Sequence, residues 1–248
     1  MVLVSALWLV ACSTPSSTNT APLQPEIATG FTRKADVVTQ KFAVAAANPL
    51  ATQAGFDVLK AGGSAVDAAI AVQMVLGLVE PQSSGIGGGA FLLHSAVAEG
   101  DKPNKVQAFD GRETAPATAT EDLLLNAEGK PLAFHSAVVG GRSVGTPGVL
   151  RMLSQAHGQH GKLPWSKLFE TAINLASQGF AISPRLHAQL KADAYLRLDP
   201  TARAYFYQAN GEPHPIGHVL RNPEFAAVLQ RIATEGVQAF YSGEVAEA

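Results

Sequence analysis

A segment of fifteen residues, 65–79, is apolar on almost every side and constrains the fold more than any other part of the sequence. A surface helix would show a polar face, so a helix without one has to be buried. Ser64 precedes the segment with Asp67 three residues later, which is close to a capping box, and Pro81 follows it. Spanning a bilayer takes about 20 apolar residues, and this shorter segment also contains Gln73. We therefore predict a core helix around which a globular domain packs.

The flanking sequence predicts further helices and strands, in an order typical of an α/β or α+β domain. A helix should begin at Asn48-Pro49 and end at Lys60, because Gly62-Gly63 follows as a helix-ending pair. Strands are expected at 37–47, 90–96 and 105–110, with a hairpin turn at 99–104. Further helices are expected at 118–125, 148–158, 165–177 and 222–235, with another beginning near residue 243.

The charge balance and the single cysteine exclude several classes of protein. The 248 residues carry a net charge of −2 and contain no run of lysine or arginine, so a nucleic-acid partner is not expected. One cysteine, Cys12, cannot build a disulfide framework or a cysteine-based metal cluster. We expect a small-molecule partner, and we predict neither a cofactor nor a bound metal ion.

The first twelve residues predict export from the cytoplasm. Met1–Ala11 are almost wholly apolar but too few to cross a bilayer, which suits the hydrophobic region of a signal peptide. Leu9–Cys12 resembles a bacterial lipobox, in which the cysteine is lipidated and becomes the new N-terminus, and residues 13–35 would be a flexible linker. We expect a periplasmic protein that contacts the membrane only through a lipid on Cys12. Because no lysine or arginine precedes the apolar run, an ordinary cleavable signal stays open, as does a buried cysteine in a strand.

Three patterns resemble known motifs but fail on their structural context. Residues 85–90 match the dinucleotide-binding pattern GxGxxA, but a helix precedes them and a strand follows, the reverse of what that motif needs. Ser143 lies in a GxSxG pattern, yet Pro147 disfavours the helix that must start directly after a nucleophilic serine. Two histidine pairs have loosely metal-like spacing without cysteine or carboxylate neighbours, and we interpret them as solvated loop residues: His157 with His160, and His214 with His218.

Arg112 is the strongest candidate for a ligand-binding side chain. It follows Phe109-Asp110-Gly111 at the end of a predicted strand, and a guanidinium there can bind a carboxylate through two parallel hydrogen bonds. The residues alone leave open a structural salt bridge from Arg112 to Asp110 or Glu113. The glycine run 85–89 has two readings as well, a tight turn of the backbone or a close approach of the backbone to a ligand.

Several short motifs follow one another along the chain in a fixed order and spacing. The motifs are Asn48–Ala51, Ala54-Gly55, Val58–Ala69, Pro81-Gln82, Gly87–Gly89, Phe109–Glu113 with Ala115-Pro116, Gly145–Gly148 and Phe240–Gly243. Each motif is weak by itself, but their combination is specific and resembles the γ-glutamyltransferase family. The resemblance extends from about Val37 to the last residue. One departure is Ser64, where the family usually has asparagine, and both residues cap helices well.

The resemblance implies an N-terminal-nucleophile hydrolase with an αββα sandwich, incomplete in this chain, in which residues 36–248 are the N-terminal part of the large subunit. Members of this family are precursors that cleave themselves into a large and a small subunit. The small subunit begins with the threonine nucleophile, which attacks the γ-glutamyl amide of glutathione and other γ-glutamyl compounds. The glutamyl group then passes to water, an amino acid or a peptide.

The same resemblance assigns one site residue in this sequence, Arg112, as the ligand of the α-carboxylate of the glutamyl group. The nucleophilic threonine and the oxyanion-hole glycines match no position here, so the resemblance places the nucleophile beyond residue 248. We expect the chain alone to be inactive. Two alternatives stay open: a truncated product that acts only as a binding or interaction module, and a related acylase on the same scaffold, such as a cephalosporin acylase or a poly-γ-glutamate processing enzyme.

Overall fold

The computed structural model describes residues 35–96 and 105–247, which lie within one compact unit of the chain. Helices make up most of the regular structure, and they surround a core to which nearly every helix contributes. The longer helices are α1 (Pro49–Lys60), α2 (Ala65–Val79), α4 (Val149–His160), α5 (Glu170–Gln178), α6 (Pro184–Ala192), α7 (Pro200–Phe206) and α8 (Pro223–Glu235). The short ones are α3 (Phe134–Val138), α9 (Gln238–Tyr241) and α10 (Glu244–Glu247). The strands are β1 (Ala90–Ala96), β2 (Lys105–Gly111), β3 (Phe180–Ala181) and β4 (Val219–Leu220).

Helix α2 is the core helix that its apolar sequence predicts. Ser64 and Asp67 form the capping box at its start, with each side chain bonded to the backbone of the other residue. The helix packs against α1, α4 and α5. Ile70, Met74 and Val75 are completely buried. Removing so much apolar surface from water is the main stabilising contribution of a helix of this kind.

Asp67 also ties α2 to the loop that follows α4. Its side chain is completely buried. One carboxylate oxygen, Oδ2, accepts hydrogen bonds from the backbone N–H groups of Ser64 at 2.8 Å, Lys162 at 2.9 Å and Leu163 at 3.1 Å. The other oxygen, Oδ1, lies 3.6 Å from Nε2 of His157. One acidic side chain therefore joins two segments that are almost a hundred residues apart in sequence.

The segment before α1 corrects one prediction. Residues 37–47, which we expected to be a strand, contain bends at 40, 41 and 47 and pair with no other strand among the described residues. Burial over residues 42–46 nevertheless alternates as in a strand, with Phe42, Val44 and Ala46 half-buried and the residues between them exposed. Period-two alternation depends only on which side faces the core, so it does not require a hydrogen-bonded neighbour. Helix α1 has the predicted bounds, and Gly62 follows it with a φ of 91°.

The predicted hairpin of β1 and β2 is confirmed, with β2 one residue longer than expected. The strands are antiparallel, with Ala90 opposite Gly111 and Ala96 opposite Lys105. One face packs on α4 through Phe109. The opposite face exposes Phe91, Leu93 and Val106. The predicted turn at 99–104 lies outside the described residues.

Three helix predictions need correction, and one is confirmed. Residues 118–125 form hydrogen-bonded turns instead of a helix, and Leu125 pairs with Pro131. The helix expected at 148–158 continues through Gly158 to His160, because helix propensity penalises an internal glycine by only about 1 kcal/mol.

The segment expected to be a helix at 165–177 starts as a 3₁₀ turn at Trp165–Phe169 before α5. Helix α8 is as predicted, with Asn222 as its cap and Gly236 after it. Among the described residues, no helix is both long and apolar enough to cross a membrane.

Candidate functional site

Arg112 is the first residue after β2, and most of its side chain faces solvent. The side chain is 73% exposed, and its Nε lies 3.7 Å from Oε2 of Glu113. The carboxylate of Asp110 accepts a hydrogen bond from the backbone N–H of Arg112 at 2.8 Å, so Asp110 shapes the strand end without occupying the guanidinium. A pair as exposed as Arg112 and Glu113 contributes little to stability. The geometry therefore leaves most of the guanidinium open to an anion from solution.

The end of the glycine run 85–89, Gly88 and Gly89, lies against the Glu113 side chain. A β-carbon on Gly89 would overlap the carboxylate of Glu113 and the carbonyl oxygen of Gly111. The carbonyl oxygen of Gly88 accepts hydrogen bonds from the N–H groups of Gly148 at 3.1 Å and Val149 at 3.2 Å, at the start of α4. In this structure the run thus allows backbone to approach other backbone and the Glu113 side chain closely, and the close approach to a ligand stays a prediction.

The loop before α4, residues 145–148, packs against the backbone at the end of β2 and just after it. Thr114 and Thr146 exchange backbone hydrogen bonds of 3.3 and 2.8 Å as an isolated antiparallel bridge. Gly148 packs so closely on the carbonyl oxygens of Gly111 and Arg112 that a β-carbon there would collide with both. The backbone on each side of Arg112 is therefore fixed by neighbours that leave no room for a larger residue.

A residue near the end of the described chain completes this cluster. The hydroxyl of Tyr241 donates to the carbonyl oxygen of Pro147 at 2.9 Å and accepts from the N–H of Arg151 at 3.2 Å. The guanidinium of Arg151 lies 4.9 Å from the centre of the Tyr241 ring and bonds to Gln238. Burial raises the pKa of Tyr241, so the phenol stays protonated and can donate its hydrogen bond.

Four sequence motifs thus meet around the start of α4: the glycine run, the end of β2, the Gly145–Gly148 loop and the Phe240–Gly243 segment. The sequence identified each motif but not their meeting place. Tyr241 lies in one of these motifs, but its contact was not predicted, because no local pattern connects it to a loop 94 residues earlier.

The patterns rejected on sequence grounds are also accounted for. Ser143 ends a 3₁₀ turn, its hydroxyl donates to the carbonyl oxygen of Val138 at 2.7 Å, and no helix starts after it before Val149. Residues 85–89 lie between α2 and β1, and Ala90 is the first residue of β1, as expected. Within the described ranges, no group of three or more histidine, cysteine, aspartate or glutamate side chains is arranged to hold a metal ion.

The interpretation of His157 and His160 as loop residues is wrong, since both lie on α4. Nε2 of His157 bonds to the carbonyl oxygen of Leu163 at 2.9 Å. His160 stacks on His94 with ring centres 3.8 Å apart. Cys12 lies outside the described residues.

Comparison with known proteins decides the family. The sequence model described as gamma-glutamyltranspeptidase matches residues 51–248. This chain belongs to the γ-glutamyltranspeptidase family. Glutathione hydrolase 3 of Arabidopsis thaliana is 41% identical over 215 residues, covering 86% of this chain and 32% of the relative. The glutathione hydrolase proenzyme of Bacillus subtilis is 40% identical over 204 residues, covering 82% of this chain and 34% of the relative.

A solved member of the γ-glutamyltranspeptidase family has the same fold. The crystal structure of Helicobacter pylori γ-glutamyltranspeptidase matches with a TM-score of 0.77 at 31% identity, covering 86% of this chain and 60% of that one. This likeness confirms the N-terminal-nucleophile hydrolase fold, to which the described residues contribute helices and the β1–β2 hairpin. The chain spans about a third of the length of the two curated relatives. Membership of an enzyme family is therefore established for a chain that is much shorter than those relatives.

Proposed function

We propose that this chain supplies the donor-binding part of a γ-glutamyltransferase, in which Arg112 binds the α-carboxylate of the γ-glutamyl group. The observation that carries the proposal is the open side chain of Arg112, which is 73% exposed and approaches Glu113 no closer than 3.7 Å, from Nε to Oε2. The two terminal nitrogens make no hydrogen bond within the described residues, and they match a carboxylate in spacing and charge. The glycine and threonine backbone around Arg112 holds it at a fixed place at the end of β2.

The chemistry follows from the family. The substrates are glutathione and other γ-glutamyl compounds, and the partner is a small subunit cut from the same precursor. The N-terminal threonine of that subunit attacks the γ-glutamyl carbonyl and forms an acyl-enzyme. The leaving amine departs with a proton, and water, an amino acid or a peptide then accepts the glutamyl group. Arg112 takes no part in bond making, and it contributes by holding the donor in register with the nucleophile.

The site of action is part of the same proposal. An apolar Met1–Ala11 segment followed by Cys12 supports export and a lipid anchor on the cysteine. Residues 13–35 then connect the anchor to the folded unit. An exported enzyme of this kind would act on glutathione in the periplasm.

The test is the donor kinetics of the active two-subunit protein with Arg112→Ala and Arg112→Lys. Losing a charge-assisted bidentate contact should cost about 2–4 kcal/mol, which is roughly a 30- to 1000-fold loss in kcat/KM carried mainly by KM. Lysine keeps the charge without the planar fork, so it should recover only part of the loss. Arg203→Ala is the matched control, because Arg203 is an exposed arginine on α7. An unchanged donor KM in Arg112→Ala would remove Arg112 from the site.

The alternatives make different predictions in the same assay. A related acylase would prefer a cephalosporin side-chain amide or poly-γ-glutamate when either competes with glutathione. A binding module would retain γ-glutamyl compounds without turnover in any form of the protein. The names of the most similar relatives, glutathione hydrolases, favour glutathione over both.

A further inference from the structure

Glu80 is a buried charge at the end of the core helix, and the proposed chemistry does not use it. Its side chain is 2% exposed and accepts hydrogen bonds from three side chains. Oε1 accepts from Nδ2 of Asn48 at 3.1 Å, and Oε2 accepts from Nε2 of Gln82 at 2.7 Å and Nε of Arg185 at 3.0 Å. A carboxylate is expensive to bury unless it is paired and hydrogen-bonded in this way.

The partners of Glu80 come from different elements. Asn48 is the cap of α1, where its side-chain oxygen also accepts from the N–H of Leu50 at 3.0 Å. Arg185 lies in the first turn of α6 and is 29% exposed. One carboxylate therefore fixes the end of α2 relative to the starts of two other helices. An apolar side chain of the same volume would offer no directional hydrogen bonds to hold them.

The same residue fixes the turn that leads into the glycine run. The backbone carbonyl oxygen of Glu80 accepts from the N–H groups of Ser83 and Ser84, each at 3.0 Å. Nη2 of Arg185 donates to the hydroxyl of Ser83 at 3.3 Å. Gly85 follows directly, and Nε2 of Gln73 on α2 donates to its carbonyl oxygen at 3.4 Å. Both the backbone and the side chains of the turn are thus attached to the buried network.

At its other end the glycine run touches the surroundings of Arg112. The carbonyl oxygen of Gly88 holds the first N–H groups of α4, and Gly89 lies against the carboxylate of Glu113. Glu113 in turn lies 3.7 Å from the guanidinium of Arg112. We propose that Glu80 is a positioning residue, which with Arg185 sets the place of the glycine run and, through Glu113, the place of Arg112. The link to donor binding rests on the proposed function; the link to the glycine run does not.

Hydrogen exchange in this chain tests the first link. Glu80→Gln and Arg185→Gln break the ion pair from either side, and Arg185→Lys keeps the charge. Leu229→Ala is the control, because Leu229 is completely buried on α8 and its truncation lowers stability without touching the network. A purely structural role would raise exchange in all cooperative elements together, whereas a positioning role acts locally.

The amides of Gly148 and Val149, which bond to Gly88, are the reporters. In Glu80→Gln and Arg185→Gln these two amides should exchange at least about tenfold faster relative to the amides of α8. In Arg185→Lys the same relative exchange rate should stay within about threefold of the parent value. The proposal is overturned if the ratio of the exchange rates of these two amides to those of α8 is the same as in Leu229→Ala. It is also overturned if faster exchange is seen only at the amides of Ser83 and Ser84 and does not reach Gly148 and Val149. Should Glu80→Gln not fold, the partly exposed Arg185 variants decide alone.

Donor kinetics in the active two-subunit protein test the second link. Glu80→Gln should raise the donor KM by about fivefold or more and leave kcat within about twofold of the parent value. In an Arg112→Ala background the same substitution should raise KM no further, because the effects of substitutions at interacting residues are not additive. Additive effects would show that Glu80 does not act through Arg112. If Arg112→Ala alone leaves the donor KM unchanged, the proposed function fails, while the exchange result still decides whether Glu80 positions the glycine run.

Discussion

Replacing Asp67 by alanine should lower the free energy of unfolding by about 3–5 kcal/mol. The carboxylate is fully buried and accepts three backbone N–H groups, two of them from Lys162 and Leu163 in the loop after α4. A hydrogen bond to a charged acceptor contributes about 1.5–3 kcal/mol, and the amides of Ser64, Lys162 and Leu163 would all lose this acceptor together. Water can reach these partly exposed segments and replaces part of each bond, so the expected loss is smaller than the sum of three full bonds.

Urea unfolding of matched variants measures this effect. Asp67→Asn keeps the size and one acceptor oxygen, so it should lie between the parent and Asp67→Ala. Ser64→Ala removes only the cap of α2 and should cost about 1 kcal/mol. If Asp67→Ala destabilises no more than Ser64→Ala does, the side chain acts only as part of the capping box. The reasoning about the loop after α4 would then be refuted.

Two further perturbations follow from the geometry. Gly148→Ala would place a methyl group against the carbonyl oxygen of Gly111 and should lower the free energy of unfolding by about 1–3 kcal/mol. Gly158 lies inside α4 and faces open space, so Gly158→Ala should raise the free energy of unfolding by about 0.5–1 kcal/mol. The two substitutions should therefore shift the urea midpoint in opposite directions. Burial and the neighbouring His160 lower the pKa of His94, so the unfolded chain binds the proton better and stability should fall as the pH drops through about 6.5. His94→Gln should reduce the loss of urea midpoint between about pH 7.5 and 5.5, and an unchanged loss would contradict this assignment.

The sequence predicted those elements whose boundaries are set by local chemistry. Helix α2 begins and ends at the expected residues because its cap and the following proline are adjacent in the chain. Helices α6 and α7 were missed although each begins with a capping residue before proline, Ser183-Pro184 and Asp199-Pro200. The same pattern at Asn222-Pro223 was recognised. The signal was present in all three places, and only the weaker apolar periodicity of α6 and α7 hid it.

The site was predictable in part for a different reason. Arg112 could be placed at a strand end from the adjacent strand pattern, and the structure places it there. Its surroundings could not be foreseen, because Glu113, Gly89 and Gly148 meet through contacts that no short-range pattern encodes. Segment 37–47 shows the opposite limit, since its sequence resembles a strand but does not determine whether a neighbouring strand pairs with it.

The bond between Tyr241 and Pro147 has a consequence for the order in which the chain acquires its structure. Every residue that surrounds Arg112 on the strand side precedes residue 150, yet the loop before α4 is held by a hydroxyl 94 residues later. Closing a loop of this length is entropically costly before its contacts form, so such contacts tend to appear late in folding. A nascent chain would have to extend past Tyr241 before the backbone around Arg112 becomes rigid.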